Sequence, residues 1–390
     1  MKIVDIAAFY APAGGGVRTY IEQKLLLGPA LGHEIVIVAP GDRTRTERRG
    51  AAARIEWLAS PQLLVDRRYR YFPRHHAVHR LLDREQPDFV EASSPFRTAQ
   101  IVREWKGAAP RALIMHADPI AAFGYRLLSP VARVETIDRG LNAAWTYFRE
   151  TSAGFDAVVS ASASLSRRLS AHGMKNVVTN PMGIEDSVFT PGLRDEGLRR
   201  RLLARCGLPG NATLLLGVGR HSPEKRWPMV IRAAAAAGAR DLLGLVLVGD
   251  GRDRARLERE IGSNPHIQLV APISDRRALA RLLASADALI HGCDAETFSM
   301  VAAEARASGL PLIAPDRGGA ADHAEASGGL LFAAGDPADA ARAIGDFIRH
   351  PRPRAAIRAG ATGRARTMGD HFRDLFASYE QLAGYRTRAA

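Results

Sequence analysis

The stretch Glu296-Thr297-Phe298-Ser299-Met300-Val301-Ala302-Ala303-Glu304 carries two carboxylates with seven residues between them, and the alanines at 302, 303 and 305 read as a helix. That places Glu296 in the loop before the helix and Glu304 one to two turns into it. The unbonded amides of residues 297–300 then point out of the helix start. Carboxylates accept hydrogen bonds from sugar hydroxyls while helix-start amides hold an anion. The pattern suits a polyol attached to a phosphate. Upstream, Gly217-Val218-Gly219-Arg220-His221-Ser222-Pro223-Glu224-Lys225 puts an arginine and a lysine five residues apart on a loop feeding a helix. A guanidinium fork and an ammonium point charge there would neutralise a diphosphate. Gly14-Gly15-Gly16 opens another helix, where glycine lets amides approach an anion at the positive end of the dipole, although a triplet of this kind is equally a plain tight turn. Residues 17–21 hold no further glycine and Gly-Lys-Ser/Thr is absent, which excludes the dinucleotide fingerprint and the P-loop.

These residues need strands to carry them. Residues 2–8 read as a short buried strand, then a glycine turn, then an amphipathic helix from Val17 to Leu31. Apolar runs at 34–39, 88–91, 112–115 and 156–160 alternate with helical stretches at 72–86, 97–106, 138–151 and 162–172. The alternation restarts with strands at 213–219, 243–248, 267–270, 286–291 and 311–314. Its helices fall at 226–238, after Gly249-Asp250-Gly251, and at 275–284, 300–308 and 336–349. Continuous apolar strands alternating with amphipathic helices predict parallel sheets covered on both faces. Asn180–Asp195, with Pro181, Gly183, Pro191 and Gly192, reads as the linker. The expectation is two Rossmann-like α/β domains facing across a cleft, with ligands beyond the carboxyl ends of the strands. We place the first at residues 1–185 and the second at 186–368, with a C-terminal helix over 369–390 packing back on the first.

Composition narrows the class. A chain of 390 residues with 46% hydrophobic content can build two cores, and no apolar run is long enough to span a bilayer. The opening Met1–Ile6 lacks a signal-peptide pattern, so a cytoplasmic location is expected. Two cysteines, Cys206 and Cys293, exclude a disulfide framework and a cysteine-based zinc site. The net charge of +13 favours anionic partners. Nucleic acid is not expected: 49 of the 54 basic residues are arginine, a skew that need not reflect function, and no nucleic-acid-binding module is recognisable.

Four features in order resemble the retaining glycosyltransferases of family 4, which have the GT-B fold. They are Gly14-Gly15-Gly16, Asn180-Pro181-Met182-Gly183-Ile184-Glu185, Gly219-Arg220 with Pro223-Glu224-Lys225, and the Glu296/Glu304 pair. The run Glu304–Ile313 is similar to the family's signature helix and following strand, and the resemblance covers essentially the whole chain. It implies a nucleotide-sugar donor held mostly by the C-terminal domain and an acceptor held by the N-terminal one. By position, Arg220 and Lys225 would hold the diphosphate and Glu304 the ribose hydroxyls. Glu296 would meet the transferred sugar, aided by the amides of Phe298, Ser299 and Met300, and Gly15 and Gly16 would reach the phosphates. His116, at the end of strand 112–115, matches a family position near the reacting carbon, and the loop Ala271-Pro272-Ile273 would meet the base. Asp118 and Asp250 are secondary candidates. The chain departs from the family pattern at Ser299 and Arg226, where glycine is usual, and at Glu185, where Asp is commoner.

No metal and no other cofactor are expected, since no Asp-x-Asp occurs and cations with helix amides would carry the positive charge. The mechanism implied is retention without an enzymic nucleophile, the leaving phosphate helping to deprotonate the acceptor. UDP-hexose and GDP-mannose both stay open as donors, with a glycan or lipid-linked acceptor of envelope polysaccharide synthesis. The alternatives are a nucleotide-sugar epimerase and a non-catalytic nucleotide-sugar-binding protein. Residues 62–82 interleave Leu63, Leu64, Val65, Tyr69, Tyr71, Phe72, Leu81 and Leu82 with Arg67, Arg68, Arg70, Arg74 and Arg80. That segment suits peripheral contact with an anionic membrane at the inner face of the cell.

Overall fold

The computed structural model describes residues 1–10, 16–64, 69–72, 75–118, 120–125, 128, 134–350 and 365–389. The chain divides into two compact units, one of residues 1–118, 134–181 and 368–390, the other of 119–133 and 182–367.

The first unit is built on eight strands: β1 (Lys2–Ile6), β2 (Glu34–Gly41), β3 (Arg45–Arg48), β4 (Ala53–Ala59), β5 (Phe89–Ala92), β6 (Arg111–Met115), β7 (Ala157–Ser160) and β8 (Val177–Thr179). Their order is β3-β4-β2-β1-β5-β6-β7-β8. The central strands are buried on both faces, as their unbroken Val/Ile runs require. The sheet is parallel except at one edge, where β3 pairs antiparallel with β4. That pair was not expected from the sequence. Arg45-Thr46-Glu47-Arg48 has no apolar face to mark it as a strand, and it is held by partners instead: Thr46 Oγ1 donates to Glu56 and Trp57 Nε1 to Glu47. The helix expected over 138–151 is two helices, Val134–Gly140 and Asn142–Ser152. The C-terminal helix Met368–Ala389 packs in this unit against the helix Gly16–Ala30, and its Tyr379 ring stacks on Phe89 at 3.8 Å.

The second unit has six parallel strands: β9 (Thr213–Val218), β10 (Leu243–Val248), β11 (Ile267–Val270), β12 (Ala288–Ile290), β13 (Leu312–Pro315) and β14 (Leu330–Phe332). Their order is β11-β10-β9-β12-β13-β14. Leu215, Leu245, Leu247, Ile313, Phe332 and Trp227 close its core. The strand expected over 286–291 is shorter, so His291 stands beyond β12 in the following loop. In this unit the direction of strand order reverses between β9 and β12, and in the first unit between β1 and β5. Such switch points leave a crevice outside the strands' carboxyl ends. Glu296 follows β12 and Lys225 follows β9, so both belong to loops flanking one switch point.

Candidate functional site

In the second unit, Lys225 closes a short 3₁₀ turn, Pro223–Lys225, and Arg226 opens the helix Trp227–Gly238 with φ 52° and ψ 31°. The fully buried Trp227 donates through Nε1 to the Arg220 carbonyl at 2.9 Å, which pins the loop from below. Gly249 allows the loops after β9 and β10 to meet, since a Cβ there would lie 1.9 Å from the Gly219 carbonyl oxygen.

The Lys225 ammonium forms an ion pair with Glu296. His291 Nε2 approaches the other Glu296 oxygen at 3.2 Å. Burial raises the Glu296 carboxyl, but the Lys225 charge and His291 outweigh it and hold the group well below the usual carboxylate range. Lys225 is shifted upward: its burial lowers it, and Glu296 more than compensates. The loop carrying Glu296 is held from a third element, because Gly319 donates its amide to the Glu296 carbonyl at 2.7 Å. Only glycine fits there, as a Cβ would come within 2.6 Å of the Phe298 backbone. Phe298 is buried edge-on against His323, with ring centroids 4.7 Å apart.

The helix that follows is Met300–Ala307, and Ser299 precedes it at φ 65° and ψ 78°. The amides of Ala302 and Ala303 both donate to the Ser299 carbonyl at 3.1 Å. Those of Ser299, Met300 and Val301 therefore have no intrahelical acceptor. Glu304 is buried on the inner face of this helix, and its raised pKa comes from that burial, partly offset by an ion pair with Arg276. Arg276 also reaches Glu185 Oε2 through Nε at 3.2 Å and lies 4.9 Å from the Phe189 ring centre. The two departures from the family's glycines, Arg226 and Ser299, are both left-handed residues, where glycine is favoured. Arg226 has a compensating contact, Nη2 to Asp294 Oδ1 at 3.0 Å. Ser299 Oγ is buried with no hydrogen-bond partner among the described residues.

The structure thus pairs Lys225 with Glu296, and the amides at 299–301 that lack an intrahelical acceptor follow Glu296 at the start of the helix that carries Glu304. Arg220 lies on the same loop as Lys225, but its guanidinium is exposed and pairs with Glu224 at 3.2 Å. Ile273 is half-buried in the loop between β11 and the helix Arg276–Ser285. Asp250 is exposed after β10. In the first unit Gly16 begins the helix Gly16–Ala30, while Gly14 and Gly15 lie outside the described residues. His116 stands at the end of β6 and is half-buried, and Asp118 pairs with Arg168. In the segment 62–82, Phe72, Leu81 and Leu82 are buried, Arg70 donates to the Ser60 carbonyl, and Leu64 is 95% exposed. Val65, Asp66, Arg67, Arg68 and Arg74 lie outside the described residues.

Sequence reasoning missed Arg276, His291 and Asp294. Arg276 follows Asp275, which caps its helix, and nothing local ties it to position 304. His291 and Cys293 with Glu296 bring ligand-type atoms within 4.8 Å of one another. The Lys225 ammonium on the same carboxylate and the Cys293 thiol, pushed up to about 12 by burial, make this a poor seat for a divalent cation.

Comparison with known proteins decides the family. The profile of "Glycosyl transferases group 1" matches residues 199–364 and that of "Glycosyltransferase Family 4" matches 14–188. The chain belongs to the GT-B glycosyltransferases of group 1 and family 4. It is 31% identical to the GDP-mannose-dependent alpha-(1-6)-phosphatidylinositol dimannoside mannosyltransferase of Mycobacterium tuberculosis, over 80% of this chain and 79% of that one. A GDP-mannose-dependent alpha-mannosyltransferase of the same species is 28% identical over 100% and 99% of the two chains. Among solved structures, sucrose-phosphate synthase from Thermosynechococcus elongatus superposes with a TM-score of 0.74 at 19% identity, covering 99% of this glycosyltransferase and 100% of that chain. The two parallel-sheet α/β domains expected from the sequence are therefore the GT-B fold. Among the described residues, no helix is long and apolar enough to cross a membrane.

Proposed function

We propose that this glycosyltransferase moves mannose from GDP-mannose to a glycan or lipid-linked acceptor of envelope polysaccharide or glycolipid synthesis, with retention at the anomeric carbon. The observation that carries the reading is the Lys225–Glu296 pair at the start of the helix Met300–Ala307, with Glu304 further along that helix. Two relatives aligned over most of this chain carry names that specify GDP-mannose, which favours that donor over UDP-hexose. Membership of a transferase family favours transfer over the epimerase and binding-protein alternatives.

On this reading the diphosphate lies against Lys225, Arg220 and the amides of Phe298, Ser299 and Met300. Gly15 and Gly16 add amide contacts. Glu296 accepts from the sugar hydroxyls, Glu304 from the ribose, and the Ile273 loop lines the base. Because Glu304 is engaged by Arg276, the ribose must displace or share that guanidinium. No enzymic nucleophile is assigned. The diphosphate leaves as positive charge builds at the anomeric carbon, and its oxygen takes the proton of the acceptor hydroxyl attacking from the same face. His116 stands beside the sugar. Lys225 and the helix amides replace a metal in stabilising the leaving group. The segment 62–82 supplies peripheral contact with the anionic inner face of the membrane.

A thermal-shift series tests the donor. GDP and GDP-mannose should raise the melting temperature and UDP should not, since ligand at 100 times its Kd adds about 2.7 kcal/mol. Turnover of UDP-glucose, or indifference to GDP, refutes the assignment. Anomeric analysis of the product by NMR decides retention.

A further inference from the structure

In the second unit one guanidinium spans two carboxylates. Arg276, the first residue of the helix Arg276–Ser285, pairs through Nη2 with Glu304 and lies 3.2 Å from Glu185 Oε2 through Nε. The guanidinium carbon is 4.9 Å from the centre of the buried Phe189 ring, so the fork rests on an aromatic face that keeps its orientation. Phe189 follows Glu185 by four residues on the same segment. That segment is anchored just upstream, where the Ile184 amide donates to the Arg366 carbonyl at 2.9 Å. The Glu185 side chain is 50% exposed, against 6% for Glu304.

With the ribose on Glu304, these contacts set where Glu185 stands relative to the donor. The loop that lines the base runs from Ile273 through Ser274 and Asp275 straight into Arg276, so Arg276 stands on the base side of Glu304. Two carboxylates share one positive charge there, which leaves acceptor capacity in excess. Asp275 is already engaged, because its Oδ1 caps the helix by accepting from the Arg277 and Ala278 amides. Glu185 is the carboxylate that a ligand can reach. Bases differ in what they offer it. Guanine presents two adjacent donors, N1–H and the 2-amino group, which match the two oxygens of a carboxylate. Uracil presents one donor, N3–H, between two carbonyl oxygens, so the second carboxylate oxygen would face another acceptor.

We propose that Glu185, oriented by Arg276, reads the base of the donor by accepting from N1–H and the 2-amino group of guanine. Arg276 is a positioning residue: one arm of its fork holds the carboxylate that meets the base, and the other holds the carboxylate that meets the ribose. The proposal rests on the reading of the donor as GDP-mannose.

The test is calorimetric titration of the whole chain with GDP, inosine diphosphate and UDP. Inosine diphosphate keeps N1–H and the 6-carbonyl and lacks only the 2-amino group. The wild-type protein should bind GDP about tenfold more tightly than inosine diphosphate, the loss expected for one hydrogen bond to a charged group that water partly reaches. Glu185→Ala should bring that ratio to within about twofold, and the exposure of the side chain lets the variant fold. Arg276→Met should narrow the ratio as well, since nothing then holds the Glu185 carboxylate. A merely structural role for Arg276 would weaken both nucleotides alike and leave the ratio unmoved. A wild-type ratio near one, or a ratio that Glu185→Ala leaves unchanged while GDP still binds, overturns the inference and leaves the GDP-mannose reading standing. Binding of UDP with indifference to GDP overturns both.

Discussion

Lys225→Met separates the structural from the chemical work of the Lys225–Glu296 pair. The side chains are 15% and 19% exposed, so the pair is largely but not wholly removed from water. Breaking a fully buried pair costs about 3–5 kcal/mol because one charge is stranded. With that residual exposure, and with His291 still 3.2 Å from the carboxylate, about 2–3 kcal/mol is expected here. For a unit of this size that lowers the melting temperature by roughly 5–10 °C. The double variant Lys225→Met with Glu296→Gln should recover most of this loss, since no stranded charge remains. Activity should behave differently. Losing one cation from the leaving diphosphate should cost about 10²–10³ in kcat/KM, or about 3–4 kcal/mol, and the double variant should not restore it. Differential scanning calorimetry and steady-state transfer from GDP-mannose measure the two effects on the same preparations. The reasoning fails if kcat/KM of Lys225→Met is near normal at a temperature where the variant is folded, or if the double variant regains activity along with stability.

Arg276→Met leaves Glu304 with its burial and the neighbouring Glu185 charge, so its already raised pKa rises further; donor KM should climb as pH falls and recover as pH rises. A flat KM profile would remove Glu304 from the ribose. His116 and His323 are both pushed down to about 4 by burial, so between pH 6.5 and 4 the unfolded chain binds protons that the folded one does not. Their contribution to stability is complete above pH 6.5 and drains as pH falls toward 4, and urea titrations of wild type and His323→Leu should show the variant with the shallower decline. Ser299→Gly relieves a left-handed serine and should stabilise by about 1 kcal/mol in the same titrations. Transfer should survive EDTA, and an inactive metal-free enzyme restored by magnesium or manganese would end the metal-independent reading.

Much of the fold was legible because buried parallel strands announce themselves. The runs at 34–39, 213–218 and 243–248 are almost wholly apolar, and the turns that Gly219 and Gly249 mark after the last two could be read in place. The polar edge strand Arg45–Arg48 could not, since nothing in its own residues distinguishes it from a loop; its order comes from Glu56 and Trp57 on the neighbouring strand. Lys225, Glu296 and Glu304 stood out by residue type and by position after strands. That Lys225 and Glu296 neutralise each other, across 71 positions, followed only when β9 and β12 became neighbours.

Local spacing by itself determined which loops follow strands, which helices begin with free amides, and which side chains on those loops carry charge. Tertiary structure alone decided their partners. Lys24 reads as one more cation on an amphipathic helix, yet it is fully buried between Asp5 and Glu91. Arg276 reads as a surface residue beside a helix cap, yet it sits on Glu304. The physical reason is that a charge's energy depends on how much water it loses and on what lies within hydrogen-bond reach. Both are set by the order and register of strands far apart in the chain, whereas helix starts and strand ends are set by residues a few positions away.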